Sequence, residues 1–200
     1  MKLLLHICCA PCSVGCVQSL REQGIEPVGY WYNPTIHPVT EYRARRDALI
    51  AYAGEIGLAL EVKDVYGLRA FTRAVAEDIG GRCATCYALR LWETARHAAE
   101  GGFTHFGSTL FISPYQNHAL MRAAGEAAAA EFGVAFWDED FRPRFREGQA
   151  EARARGLYMQ KYCGCIFSEE ERYCKGKAGE GEAGVWADIQ AAMKALQGKS

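Results

Sequence analysis

The chain predicts an α/β protein, a doubly wound, mostly parallel five-stranded sheet with a C-terminal helical extension. Three observations carry that prediction. Short apolar runs alternate with longer helical stretches through the first 140 residues, the rhythm of a parallel sheet with helices on both faces. Glycines stand just beyond most helical stretches, where chains commonly leave a helix. The unusual residues, cysteines above all, follow the apolar runs, at the edge where open α/β sheets place their chemistry. Two hundred residues suit one such domain with a sizeable core.

Residues 3–7 form an apolar run closed by a Cys/Pro loop and read as a buried parallel strand. Ser13 can cap a helix running to about Gln23, with Gly24 as its stop. Residues 27–32 return as a second strand, ended by Asn33-Pro34, and the two prolines of NPTIHP resist regular structure. Thr40 precedes a helix to about Ile56, and residues 58–62 read as a third strand. Residues 67–79 are helical and stop at Gly80-Gly81. The next helix opens on Cys83 and runs to Glu100. Residues 103–107 form a fourth strand, followed by the loop STLFISPYQ. Residues 118–132 are an alanine-rich helix capped by Gly133, and residues 134–137 a fifth strand. After Asp140 the alternation gives way to an Arg/aromatic segment, a C-x-C and a short acidic helix. This divides the chain into an α/β domain at 1–174, a flexible linker at 175–184 and a terminal amphipathic helix at 185–200. Right-handed crossovers place the loops 8–12, 33–38, 108–116 and 138–144 on one edge.

Half the residues are hydrophobic and 24% charged, ordinary for a folded protein. A net charge of −1 lacks the basic balance of many nucleic-acid binders. The total hides an asymmetry: Arg142, Arg144, Arg146, Arg153, Arg155 and Lys161 outnumber Glu147 and Glu151, while acidic residues gather at 169–171 and in the tail. No stretch approaches the length of a membrane span. The N-terminal apolar run is too short for a secretory signal and holds His6 and the first cysteines. A cytoplasmic location is expected, where clustered cysteines serve metals or redox chemistry more than disulfides. The odd count of nine leaves one cysteine over in any full pairing, although individual disulfides remain open.

Cys8, Cys9 and Cys12 occupy the strand-to-helix turn at which a phosphate binder would place glycines. A helix N-terminus favours the thiolates that metals require. Cys83 and Cys86 form a C-x-x-C that can supply a second claw, and together these give enough sulfur for zinc or a [4Fe–4S] cluster. Cys163 and Cys165, in YCGC, can be a redox pair, late metal ligands or packed thiols. Cys16 reads as core and Cys174 as without a role. His6 reads as a hydrogen-bonded core residue, whereas His37 and His118 lie in or beside edge loops and can donate protons. From Phe141 to Tyr162, arginines alternate with aromatic rings, a mixture suited to a single-stranded RNA loop and equally to an amphipathic helix with a solvated face. Tyr30, Trp31, Tyr32 and Tyr115 can extend that aromatic surface or belong to the core.

The motifs LLLHICCAPCS, YNPTIHPVTEYRAR, RCATCYALRL, STLFISPYQNH, DFRP and GLYMQKYCGCIFSE follow one another over about residues 2–170. With them the chain resembles the cobalamin-independent epoxyqueuosine reductases, the QueH-type family. That resemblance implies a fold similar to adenine-nucleotide alpha hydrolases without a working P-loop. It also implies reduction of the epoxide of epoxyqueuosine at the tRNA wobble position to an alkene, the last step of queuosine synthesis. The implied cofactors are a [4Fe–4S] cluster, with Cys8, Cys9, Cys83 and Cys86 as ligands, and a second metal, taken as iron, beside Cys12. Cys12, Asp140 and His37 become the catalytic candidates. Arg142, Arg144, Arg146, Tyr115, Tyr158 and Lys161 become the RNA-binding candidates. The partners are the tRNA anticodon loop and an unidentified electron donor. Gly107 stands where the family pattern suggests a hydroxyl, leaving Ser108 and Thr109. A zinc-stabilised RNA-binding module and a thiol–disulfide oxidoreductase are the competing classes.

Overall fold

The computed structural model describes residues 1–197. In chain order, the elements of the sheet layer are β1 (Leu3–His6), α1 (Ala10–Glu22), β2 (Val28–Trp31), α2 (Val39–Glu55), β3 (Leu60–Val62), α3 (Leu68–Val75), α4 (Arg82–Glu100), β4 (His105–Ser108), α5 (His118–Phe132) and β5 (Ala135–Phe136). Three further helices follow: α6 (Phe145–Ala154), α7 (Ile166–Tyr173) and α8 (Glu182–Gln197). The five strands order as β3-β2-β1-β4-β5, and every pairing is parallel. The sheet is therefore wholly parallel and winds outward both ways from β1, which makes it doubly wound.

Successive side chains of a strand point to opposite faces, and β1 uses both. Leu3, Leu5 and Ile7 join a core shared with Val14 and Val17 of α1, Leu49 and Tyr52 of α2 and Ala152 of α6. Leu4 joins the other core with Leu91, Ala95 and Ala98 of α4, Phe106 of β4 and Ala128 of α5. Burying a leucine on either side is worth roughly 1.5–3 kcal/mol, so β1 is anchored twice. Gly133 leaves α5 at φ +66°, a left-handed conformation that glycine adopts without strain.

Several boundaries differ from the sequence reading. Helix α1 starts at Ala10 with Cys9, not Ser13, as its N-cap. Pro11 sits in the first turn, where its fixed φ suits a helix and its missing N–H is no loss. Ser13 lies inside the helix and donates to the Ala10 carbonyl at 2.8 Å. Helix α3 stops at Val75, and Gly81 is the N-cap of α4. Trp31 and Tyr30 are core residues. Helix α8 begins at Glu182, inside the stretch read as linker, and residues 198–200 of the expected terminal helix lie outside the described residues. Among the described residues, no helix is long and apolar enough to cross a membrane.

Candidate metal centre and cavity

The C-terminal ends of β1, β2 and β4 are bolted together by His6, which is fully buried. Its Nδ1 lies 2.9 Å from Ser108 Oγ, and its Nε2 lies 3.2 Å from both the Tyr32 carbonyl and Asn33 Oδ1. Two acceptors at Nε2 fix the proton there, so Nδ1 accepts from Ser108. Asn33 Nδ2 in turn donates to the Ile7 carbonyl at 2.9 Å. Burial, then the charge of Arg90, lowers the His6 pKa to about 4, so the ring is neutral near pH 7. The reading of His6 as a hydrogen-bonded core residue holds.

On this clamp sit the thiols of Cys8, Cys9 and Cys12, all buried, with sulfurs within 4.8 Å of one another. Cys9 leaves the strand in an extended conformation and Cys12 lies one turn into α1, so strand end and helix start face each other. Cys8 and Cys9 are 3.8 Å apart, close to the roughly 3.8 Å edge of a tetrahedral thiolate site with metal–sulfur bonds of about 2.3 Å. Three buried thiols cannot all ionise. Hydrogen bonds from Cys12 and Cys9 hold the Cys8 thiol well below its ordinary range. Burial pushes Cys9 up, and the bonds to Cys8 and Cys9 together with burial push Cys12 up. The backbone N–H of Cys8 donates to Thr109 Oγ1 at 3.3 Å. Gln160 lies over the group and donates from Nε2 to Cys9 at 3.0 Å and to Cys12 at 3.5 Å. Cys16 is buried in the core behind it.

Cys83 and Cys86 lie on the first turns of α4 and are not part of this convergent group. Burial raises both thiols. Cys86 Sγ is 3.3 Å from Thr35 Oγ1. All nine cysteines are unpaired, so the possible disulfide is not formed.

A cavity of about 350 Å³ opens on the group, lined by Cys8 and Cys12 but not Cys9. Thr109, Ser113, Gln116, Gln149 and Gln160 give it a polar wall. Tyr115, 84% exposed, stands at its mouth edge-on to Phe145, and Lys161 and Cys163 lie on the same lining. Cys163 accepts from Gln116 Nε2 at 3.4 Å, whereas Cys165 is the N-cap of α7 and lies beside Arg82.

The C-x-C loop is held from below. Gly164 has φ +149°, and a side chain there would press on Ile36 and Arg45. Buried Arg45 pairs with Glu41 at 2.6 Å and donates to the carbonyls of Cys163 and Tyr162 at 2.8 and 3.0 Å. Tyr158 donates its hydroxyl to Glu41 at 2.5 Å, and Tyr162 donates to the His37 carbonyl at 2.6 Å. His37 is fully buried: its backbone N–H donates to Gly164 at 2.7 Å and its Nδ1 accepts from Ile166 at 3.3 Å. Burial lowers its pKa to about 4. Asp140 is bound by the Arg142 guanidinium, which lowers its pKa to about 2. Neither His37 nor Asp140, two of the catalytic candidates, is among the residues that line the cavity. His118 is engaged with the Ser113 carbonyl at 2.9 Å.

The basic segment is more neutral in space than in sequence. Arg142 pairs with Asp140, Arg144 with Glu22 and Glu147, and Arg155 with Glu55 and Glu151. Arg146 is exposed and makes no ion pair among the described residues. Arg153 and Lys161 are likewise exposed and without an ion pair among the described residues.

The family profile described as "Epoxyqueuosine reductase QueH" matches residues 3–171. The chain belongs to the QueH family. It is 40% identical over 174 residues to the epoxyqueuosine reductase QueH of Dehalococcoides mccartyi, covering 87% of this chain and 96% of that one. The Thermotoga maritima QueH is 32% identical over 179 residues, covering 85% and 91%. The Haemophilus influenzae QueH is 34% identical over 177 residues, covering 84% and 71%. A reductase family fits neither a zinc-stabilised binding module nor a thiol–disulfide oxidoreductase. The QueH match takes in every thiol but Cys174, and α8 lies beyond it. The sequence reading passed over Gln160, Thr35 and Arg90. Their only local signals were a glutamine before YCGC, a threonine between two prolines, and an arginine seven residues after Cys83.

Proposed function

We propose that the chain carries out the reaction its relatives are named for. This is the two-electron reductive removal of the epoxide oxygen of epoxyqueuosine in tRNA, giving the alkene of queuosine. One observation carries the reading: three buried thiols converge at the sheet edge and open onto a polar cavity of about 350 Å³. That size falls within the range of small-molecule sites and suits one nucleobase turned out of an anticodon loop.

The donor set fits an iron–sulfur protein. Five thiols exceed one four-coordinate metal, and buried Arg90 has no carboxylate partner among the described residues, leaving positive charge for anionic sulfur to balance. Cys8, Cys9, Cys83 and Cys86 would hold a [4Fe–4S] cluster, and Cys12, facing the cavity, a second metal, taken as iron. When bound, the cluster supplies electrons and the iron a Lewis acid. Gln160 fixes the orientation of Cys9 and Cys12 through its amide. Tyr115 offers a ring for the base to stack on, and the cavity's amides and hydroxyls hydrogen-bond its edge. Lys161 holds a proton at Nζ on the cavity wall and a positive charge for phosphate. Electrons come from a separate donor protein or reductant.

The test is anaerobic purification, an absorbance spectrum, iron and sulfide counts, and nucleoside mass spectrometry of tRNA carrying epoxyqueuosine. Iron, sulfide and conversion to queuosine are expected. A colourless protein with stoichiometric zinc and no conversion would overturn the reading. The Cys12→Ala variant should keep most of the cluster absorbance and lose turnover, and equal loss of both would overturn the division of ligands.

A further inference from the structure

Arg90 is 3% exposed, on the face of α4 that also carries Cys83 and Cys86. Its Nε and Nη2 both donate to one atom, Thr35 Oγ1, at 3.1 and 2.6 Å. Among the described residues no carboxylate pairs with it. This is unlike Arg45, the other buried arginine of the site, which has Glu41 and two carbonyls. A buried guanidinium with a single neutral acceptor is costly unless charge of opposite sign stands nearby. The ionisable groups near enough to feel it include Cys86, Cys8, Cys163 and Cys165, with the neutral imidazoles of His6 and His37 beside them. Thr35 is also fully buried. Its oxygen accepts two bonds from Arg90, so its own O–H is directed to the remaining neighbour, Cys86 Sγ at 3.3 Å.

We propose that Arg90 and Thr35 form a buried counter-charge for the sulfur site, Arg90 supplying the positive charge and Thr35 relaying it to Cys86 as a hydrogen bond. Both are positioning residues rather than catalytic ones. Positive charge and hydrogen bonds at a ligand sulfur favour the reduced, more negative state, so the pair raises the site's reduction potential. The inference rests on the iron–sulfur reading above for that consequence, but not for the charge relay itself.

The test compares wild type with Arg90→Met, Thr35→Val and Thr35→Ser. In the anaerobically loaded protein, Arg90→Met should lower the reduction equilibrium constant about tenfold, about 59 mV for a one-electron couple. Thr35→Val should shift the potential the same way, and Thr35→Ser should restore it. Replacing a poorly paired buried charge by an apolar side chain of similar length is often neutral or stabilising, so metal-free Arg90→Met should melt no lower than wild type. A lowered melting point with an unchanged potential would mean a structural arginine and overturn the proposal. Iodoacetamide labelling of the metal-free protein, read by mass spectrometry, decides independently of any cluster. Cys86 should react more slowly in Arg90→Met and Thr35→Val than in wild type, with exposed Cys174 as internal control. Equal Cys86 rates would overturn the relay. A wild type that takes up no cluster but shows the rate difference would overturn the iron–sulfur reading and leave the counter-charge standing.

Discussion

His37 has no exposed surface, and its pKa of about 4 lies well below the 6.5 of an unfolded histidine. Between those values the unfolded chain binds a proton that the folded chain refuses, so stability rises with pH through this window. It is fully present above pH 6.5 and is lost as pH falls toward 4, at up to about 1.4 kcal/mol per pH unit. Asparagine at this position can still accept from the Ile166 N–H but does not titrate. The drop in urea midpoint from pH 7 to pH 5 should therefore be smaller in His37→Asn than in wild type, and equal drops would show that His37 does not refuse the proton. What hid this from the sequence is that a histidine between two turns gives no sign of what covers it. Here the cover is Tyr66 and Phe71, together with the C-x-C loop more than 120 residues later.

Helix α5 shows what can and cannot be read locally. Its period, Asn117 before it and Gly133 after it are neighbours in sequence, and its bounds agree with the sequence reading. Gly125, in its middle, looks like a helix weakness that alanine would repair by about 1 kcal/mol. In space, a β-carbon at Gly125 would overlap the Phe136 ring of β5. That ring packs against Phe106 and Phe111, with centroids 5.2 and 5.8 Å away. Overpacking of this kind costs about 1–3 kcal/mol, so Gly125→Ala should lower the thermal midpoint of the metal-free protein. A raised midpoint would show that the ring yields. The start of α1 was missed for a related reason. Ser13 is the better capping residue by type, but the buried end of β1 brings the chain into helical conformation four residues earlier.

At the scale of the whole molecule, charge is the property most changed by folding. The net charge of −1 and the run of arginines were both plain in the sequence, whereas the partners were not. Glu22 and Glu55 reach Arg144 and Arg155 from 122 and 100 positions away. Surface pairs of this kind are worth about 0–1 kcal/mol, so a phosphate can recruit the arginine but must first displace a carboxylate. Arg146 and Lys161 carry no such tax. Changing both to glutamine should weaken tRNA binding and reduce the slope of log affinity against log salt by about 0.7–0.9 per residue. Neutralising Arg142 should do less, and an unchanged slope in the double variant would dismiss the patch. The alternation of strands and helices was legible because each element announces itself locally. The cavity was not, because its walls come from five separate stretches of chain.

The central place of β1 also sets a timetable. Cys8, Cys9 and Cys12 leave the ribosome well before β4, which pairs with β1 and arrives about a hundred residues later. Gln160 trails Cys12 by 148 positions. At about 5–20 residues per second, roughly 7–30 s separate these thiols from their lid. A metal arriving in that interval would meet a loose peptide of three cysteines, open to air and to any soft cation. Orderly loading belongs after the chain has closed around them.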